Sequence, residues 1–226
     1  MKGLFAIPAL ALSVSLLALP SPGAELTGRI VITKKLTKKA VLLPAYQLRG
    51  ASPAAVEYHD DSGEVAVFLE GQLPYPEKII HAELKQEGQR FEPRMVVIPV
   101  GSTVSFPNAD PIFHNVFSLS SAKKFDLGYY PAGQTRIVKF DHPGVVQVYC
   151  HLHTNMYAAI VVAPSRWYAV PGDDGAFSFH DVPPGTYRLV AWHLNAGFFR
   201  REVHVLTNGE TEVIIDIPVR DAEKVH

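Results

Sequence analysis

Apolar residues along the 226-residue chain recur in short runs or at every second position, and no stretch holds a helical spacing over three or more turns. This pattern predicts an all-β protein. The segments that read as strands before residue 164 are GRIVI (28–32), EVAVFLE (64–70), IIHAELKQ (79–86), RMVVIPV (94–100), STVSFPN (102–108), NVFSLS (115–120), TRIVKF (135–140), VVQVYC (145–150) and AAIVVA (158–163). Turns rich in Gly, Pro, Asn and Asp separate them, among them Gly101, PAG (131–133) and HPG (142–144), a spacing typical of a β-sandwich or barrel.

Beyond APS (163–165) the alternation becomes stricter. GDDGAFSFHDVPPGTYRLVAWH breaks at DDG and PPG and is followed by REVHVLT, an NG turn and TEVIIDIPV. A second, small β-sandwich is predicted over residues 164–226, but that segment lacks opening strands, whereas residues 25–76 hold two strands and no core of their own. Two arrangements fit. Either GRIVI and EVAVFLE pair with the C-terminal strands, leaving residues 77–163 as an inserted domain, or residues 25–76 form a separate N-terminal extension.

Residues 1–24 combine Lys2, the apolar run LFAIPALALSVSLLALP and the small residues SPGA before Glu25, the build of a secretory signal peptide cleaved near Gly23 or Ala24. Pro8 and Pro20 interrupt the run, which is short for a spanning helix. A periplasmic location is expected, with membrane attachment only if the segment stays uncleaved. The formal charge of −1 argues against a nucleic-acid binder. TKKLTKK (33–39) is a local basic exception, readable as a solvated face or as a docking patch for an acidic partner.

A single cysteine in an oxidising compartment cannot close a disulfide within its own chain, so it is inert and buried, paired between chains, or held by a metal. Cys150 ends VVQVYC; in YCHLHTNM (149–156), His153 follows after two residues and Met156 after two more. A strand turning into a tight loop, with Thr154 and Asn155 supplying turn chemistry, can fold these donors toward one point. A further donor stands in SFPNADPIFHNVFS (105–118), where His114 opens a strand. A thiolate, two imidazoles and a thioether form a soft, mixed set, and a trigonal His₂Cys arrangement with a weak axial Met belongs to blue-copper electron transfer. Zinc also takes Cys and His, but its structural sites carry more cysteines and its catalytic sites do not use Met. Taken singly, each residue has a plainer reading: Cys150 as a small buried hydrophobe, His153 as a loop residue, Met156 as core filler.

Residues from about 90 to 163 resemble the cupredoxin family of small blue-copper proteins. The resemblance is carried by FEPRMVVIPVGSTVSFPN, FHNVFS, AGQTRIVKF, HPGVVQVYC and the CHLHTNM loop, whose spacing is similar to the short amicyanin form. It implies a Greek-key β-sandwich or barrel over residues 77–163 holding one type 1 copper ion, with His114, Cys150, His153 and Met156 as ligands. It further implies that Asn115 ties the ligand loops together near the sulfur and that His153 is the electron exit; His151 departs from the family, and strand alternation turns it away from the metal, since a copper-bound His151 would make a site that is not blue. Met95 is expected in the core rather than at the metal. The layout is similar to proteins grouped with methylamine utilisation.

DDGAFSFHDVPPGTYRLVAWH resembles the carboxypeptidase regulatory-like or transthyretin-like β-sandwich, also described as carbohydrate-binding-like. There Trp167, Tyr168 and Trp192 either pack in the core or stack on a glycan, and His142, His180, His193 and His204 read as surface or structural. The chain has one His-x-His pair, HLH at 151–153, where multicopper oxidases repeat such pairs, and a four-ligand set leaves no open position for substrate. The expectation is a non-enzymatic carrier of single electrons between transient donor and acceptor proteins. The alternatives are a copper carrier or chaperone without redox turnover, and a cell-envelope protein whose C-terminal sandwich binds a glycan or protein and whose metal is structural.

Overall fold

The computed structural model describes residues 24–32, 64–207 and 209–217. The basic run at 33–39 and, apart from Ala24, the signal segment lie outside these residues. The described residues are all-β, with no helix. In chain order the strands are β1 (Ala24–Ile32), β2 (Val65–Glu70), β3 (His81–Glu83), β4 (Lys85–Glu87), β5 (Arg90–Glu92), β6 (Met95–Pro99), β7 (Thr103–Pro107), β8 (His114–Ser120), β9 (Lys123–Tyr130), β10 (Thr135–Lys139), β11 (Gly144–Tyr149) and β12 (Tyr157–Ala163). The chain ends with β13 (Tyr168–Ala169), β14 (Ala176–Val182), β15 (Gly185–His193), β16 (Gly197–Val205) and β17 (Glu210–Ile217).

These strands build two sandwiches. One packs the sheet β14-β1-β17 against β13-β2-β15-β16, so β1 and β2 join strands more than a hundred residues later in the chain. The other packs β10-β7-β3 against the five-stranded sheet β6-β12-β11-β8-β9. Two segments differ from the pattern read in the sequence. IIHAELKQ splits: β3 pairs with β7, while β4 turns through Gly88 and Gln89 into β5. KKFDLGYY, absent from the strands read in the sequence, is the edge strand β9, paired with β8. Its alternating half-buried and exposed residues, interrupted by Gly128 at φ 67°, hide the strand from an apolar-run reading.

The sandwiches share an apolar seam, which explains why β2 and β12 read as unbroken apolar runs. Along β12, Ala158, Ile160 and Val162 face the core of the second sandwich, whereas Ala159, Val161 and Ala163 face the seam. Along β2, Val65, Val67 and Leu69 enter the first core, and Ala66 and Phe68 enter the seam with Met95, Val190 and Trp192. A strand buried on both faces has no polar side to show. Trp192 is in the seam and Trp167 in the first core, with its Nε1 donating to the His180 carbonyl at 2.9 Å, so neither indole is placed to stack on a sugar.

Polar groups border the seam. Arg94 pairs with Glu64 at 2.6 Å, donates to the Tyr157 hydroxyl and lies over the Tyr157 ring. The Asn195 amide reaches Glu64 at 3.3 Å. Fully buried His193 accepts the backbone N–H groups of Asn195 and Ala196 on Nδ1, leaving Nε2 with no partner. Burial, and then the Arg94 charge, push its pKa from 6.5 down to about 4.

Two outcomes follow from the seam. Trp192→Ala is expected to cost about 3–5 kcal/mol in a urea titration, the usual range for emptying a large buried ring. His193 is neutral when folded but takes up a proton in the unfolded chain, so its contribution is full above about pH 6.5 and is lost as pH falls toward 4. Unfolding of the metal-free protein at pH 7 and pH 4 is expected to differ through this group by on the order of 3 kcal/mol, a slope absent from His193→Gln.

Candidate metal centre

Side chains alternate faces along a strand, and that parity assembles the site. On β11, Val146 and Val148 point into the core, and Cys150, two residues further, keeps their phase and is fully buried among them. On β8, Val116 is a core residue, and His114, in the same phase, is also fully buried. On β12, Ala158 and Ile160 face inward, and Met156, fully buried, continues that row. The β11–β12 ladder closes at Tyr149↔Tyr157, so the intervening residues form the loop that carries His153.

The donor atoms converge. The Cys150 sulfur lies 3.9 Å from His114 Nδ1 and 3.8 Å from His153 Nδ1, and all three atoms are within 4.8 Å of one another. The two imidazoles meet edge-on, with centroids 4.7 Å apart. A metal bonded at about 2.3 Å to sulfur and about 2.0–2.1 Å to nitrogen, in a trigonal arrangement, separates those atoms by about 3.7–3.8 Å. The donor set therefore fits a soft transition metal. Met156 shares the buried core with Cys150; its N–H bonds the His153 carbonyl at 3.2 Å, and its carbonyl accepts the Cys150 N–H at 3.3 Å. Burial, and then the His114 ring, hold the His153 imidazole below its usual pKa and so in the neutral form that ligates.

Around these donors sit polar groups that the sequence reading did not single out. His114 Nε2 lies 2.7 Å from an oxygen of Asp110, which fixes the tautomer with Nδ1 facing the sulfur. Burial works against the Asp110 charge, but the Gln89 N–H, the His114 ring and the Gly88 N–H outweigh it and hold the carboxyl below the usual carboxylate range. The loop itself is shaped by buried Asn108, whose Oδ1 accepts the Asp110 N–H at 3.0 Å and whose amide donates to the carbonyls of Ile112 and Tyr130. An Asp four residues before a His is a weak signal in sequence, because only the folded loop makes them neighbours.

Asn115, opposite in phase to His114, donates to Asp126 at 2.6 Å and to the Gly128 carbonyl at 3.1 Å, while its Oδ1 has no partner. Its connection to the ligand loop therefore runs through Asp126, which lies 3.5 Å from His151 Nε2. His151 stacks flat on Phe117 with centroids 3.9 Å apart, on the sheet face away from the cysteine. Met95 is in the seam, and His142, His180 and His204 are exposed.

No protein-family model matches the chain, and no curated protein matches it. Solved structures do. A purple cupredoxin from Nitrosopumilus maritimus is 24% identical, with 36% of this chain matching 99% of that one at a TM-score of 0.33. An amicyanin variant in its Cu(I) form is 18% identical, with 42% of this chain matching 97% of that one at a TM-score of 0.35.

The geometry separates the loop histidines by experiment. His151→Ala is expected to leave Cu(II) affinity within about threefold in a competition titration, whereas His153→Ala is expected to lose more than about 100-fold, beyond the usual cost of an outer partner.

Proposed function

We propose that the chain is an exported type 1 copper protein that carries single electrons between periplasmic redox partners. The observation that carries this reading is the convergence of one thiol and two imidazole Nδ1 atoms, from segments 36 residues apart, at spacings of 3.8 and 3.9 Å. A copper ion held there would supply a one-electron Cu(II)/Cu(I) couple. His114, Cys150 and His153 would hold it, and Met156 would be the weak fourth ligand, a role supported by its inward phase and its backbone bonds to Cys150 and His153. Square-planar and tetragonal Cu(II) sites use nitrogen and oxygen donors, whereas a His₂Cys set with a weak axial Met is the donor set of electron-transfer copper.

The chain's part is to keep the donors still, exclude water and present one edge. His114 and Cys150 are fully buried, which fixes their geometry in both charge states of the site. His153 is only partly buried, and its neighbours in the chain include exposed Leu152, with exposed Ile112 and Phe113 just before His114. An apolar rim around a conducting imidazole suits a small, rapidly exchanging interface with other proteins. The C-terminal sandwich, as a carboxypeptidase regulatory-like module, would serve as a rigid extension joined through the seam.

Copper-loaded protein is expected to show an intense visible thiolate-to-Cu(II) absorption that bleaches reversibly with reductant. Cys150→Ser is expected to abolish it, and Met156→Leu to keep it while shifting the potential. A colourless Cu(I) protein that cannot be oxidised would point instead to a carrier without redox turnover.

A further inference from the structure

We propose that Asp110 is a positioning residue for His114 that biases the centre toward the oxidised metal, an inference that rests on the copper reading above. His114 is completely buried, so its Nε2–H has no water to turn to, and the one group it meets is the Asp110 carboxylate at 2.7 Å. That carboxylate is itself held. It accepts the Gly88 N–H at 2.7 Å and the Gln89 N–H at 2.8 Å, and the Asp110 backbone is fixed by Asn108. The β4–β5 turn, the 108–114 loop and the first residue of β8 therefore lock one imidazole in one rotation and one tautomer.

Two effects follow, and they act in the same direction. A carboxylate accepting the distal N–H raises electron density on Nδ1, which makes it a better donor to the more highly charged ion. A buried negative charge one imidazole away also favours a 2+ over a 1+ centre by simple Coulomb attraction in a medium of low dielectric. Both carboxylate oxygens are used as acceptors, Oδ1 by the Gly88 N–H and Oδ2 by the Gln89 N–H and the His114 ring, a set that an amide with one acceptor oxygen could not serve. The charge is aimed at the far nitrogen of a metal-binding ring. The sequence offers the same residue in NADPIFH, but nothing in that spacing shows it reaching the ring.

The test uses the mature chain with Asp110→Asn and Asp110→Ala, read in two ways. With copper, Asp110→Asn is expected to weaken Cu(II) binding by about 10–100-fold while leaving Cu(I) binding within about threefold. The midpoint potential then rises by about 60–120 mV, from 59 mV per decade for one electron. Without metal, long-range ¹H–¹⁵N spectra of the wild type are expected to show a slowly exchanging His114 Nε2–H proton bonded to Asp110, and Asp110→Ala a mixture of ring tautomers. Unchanged potential and affinities in an Asp110→Asn protein that unfolds cooperatively would overturn the proposal. So would an Nδ1–H tautomer in the wild type, which decides the matter even if the variants fold poorly. A wild type that shows the Nε2–H tautomer yet binds no copper would instead defeat the copper reading alone.

Discussion

In a pleated sheet a side chain faces one layer or the other by the parity of its position, and the cluster of His114, Cys150, His153 and Met156 depends on three strands sharing one phase at one end of a sheet. His114 opens β8, Cys150 follows β11 and Met156 precedes β12, each in step with inward-facing valine, alanine or isoleucine. A slip of one residue in any of these strands would turn its His, Cys or Met outward and its opposite-phase neighbours inward. What prevents the slip in β12 is burial on both faces, because Ala159, Val161 and Ala163 fill the seam while Ala158, Ile160 and Val162 fill the core. The register that serves one core must also serve the other. Residues far from any donor therefore set the width of the ligand loop.

The phase rule also explains how neighbouring residues divide their work. Cys150 and His114 point inward to meet each other, while Tyr149 and Phe117 point outward and pack together, with His151 stacked on Phe117. Two carboxylates stand near the cluster, Asp110 on the loop before His114 and Asp126 on β9. Asp110 serves the inner ring of His114, and Asp126, held by the Gly128 N–H and by Asn115, serves the outer face beside His151. The strand irregularity between Asn115 and Phe117, opposite Gly128, lies between these two groups and lets β9 bring Asp126 up to the ladder.

Much of this was legible in the chain. Runs of alternating residues reveal strands when one face is apolar, so β7, β10, β11 and the C-terminal hairpins stand out, as does the Cys-x-x-His-x-x-Met loop. The all-β class followed from the absence of any helical period. Two kinds of feature were hidden. β9 has a partly exposed inner face and a glycine in its middle, so its pattern resembles a loop. Asp110 and Asp126 act through space on rings reached from other loops, and sequence distance carries no record of that. His193 illustrates a third case: a histidine ending an apolar run reads as surface or structural, and the fold decides for the second, because β15 faces two cores and its last residue is enclosed with them.

The seam makes the two sandwiches one physical object. Residues of β2, β6, β12 and β15 contribute a continuous apolar layer, and removing either sandwich would leave the other with Phe68, Val190 and Trp192, or Met95, Ala159 and Val161, facing water. An exposed patch of that kind is costly for a soluble domain. Tyr157 links the layer to the centre: it follows Met156 in the chain, its hydroxyl accepts from Arg94, and Arg94 pairs with Glu64 just before β2. The ligand loop thus leaves the donors and enters, within one residue, the polar border of the seam. The sandwich built from β1, β2 and the C-terminal strands is for this reason part of what holds the loop in place.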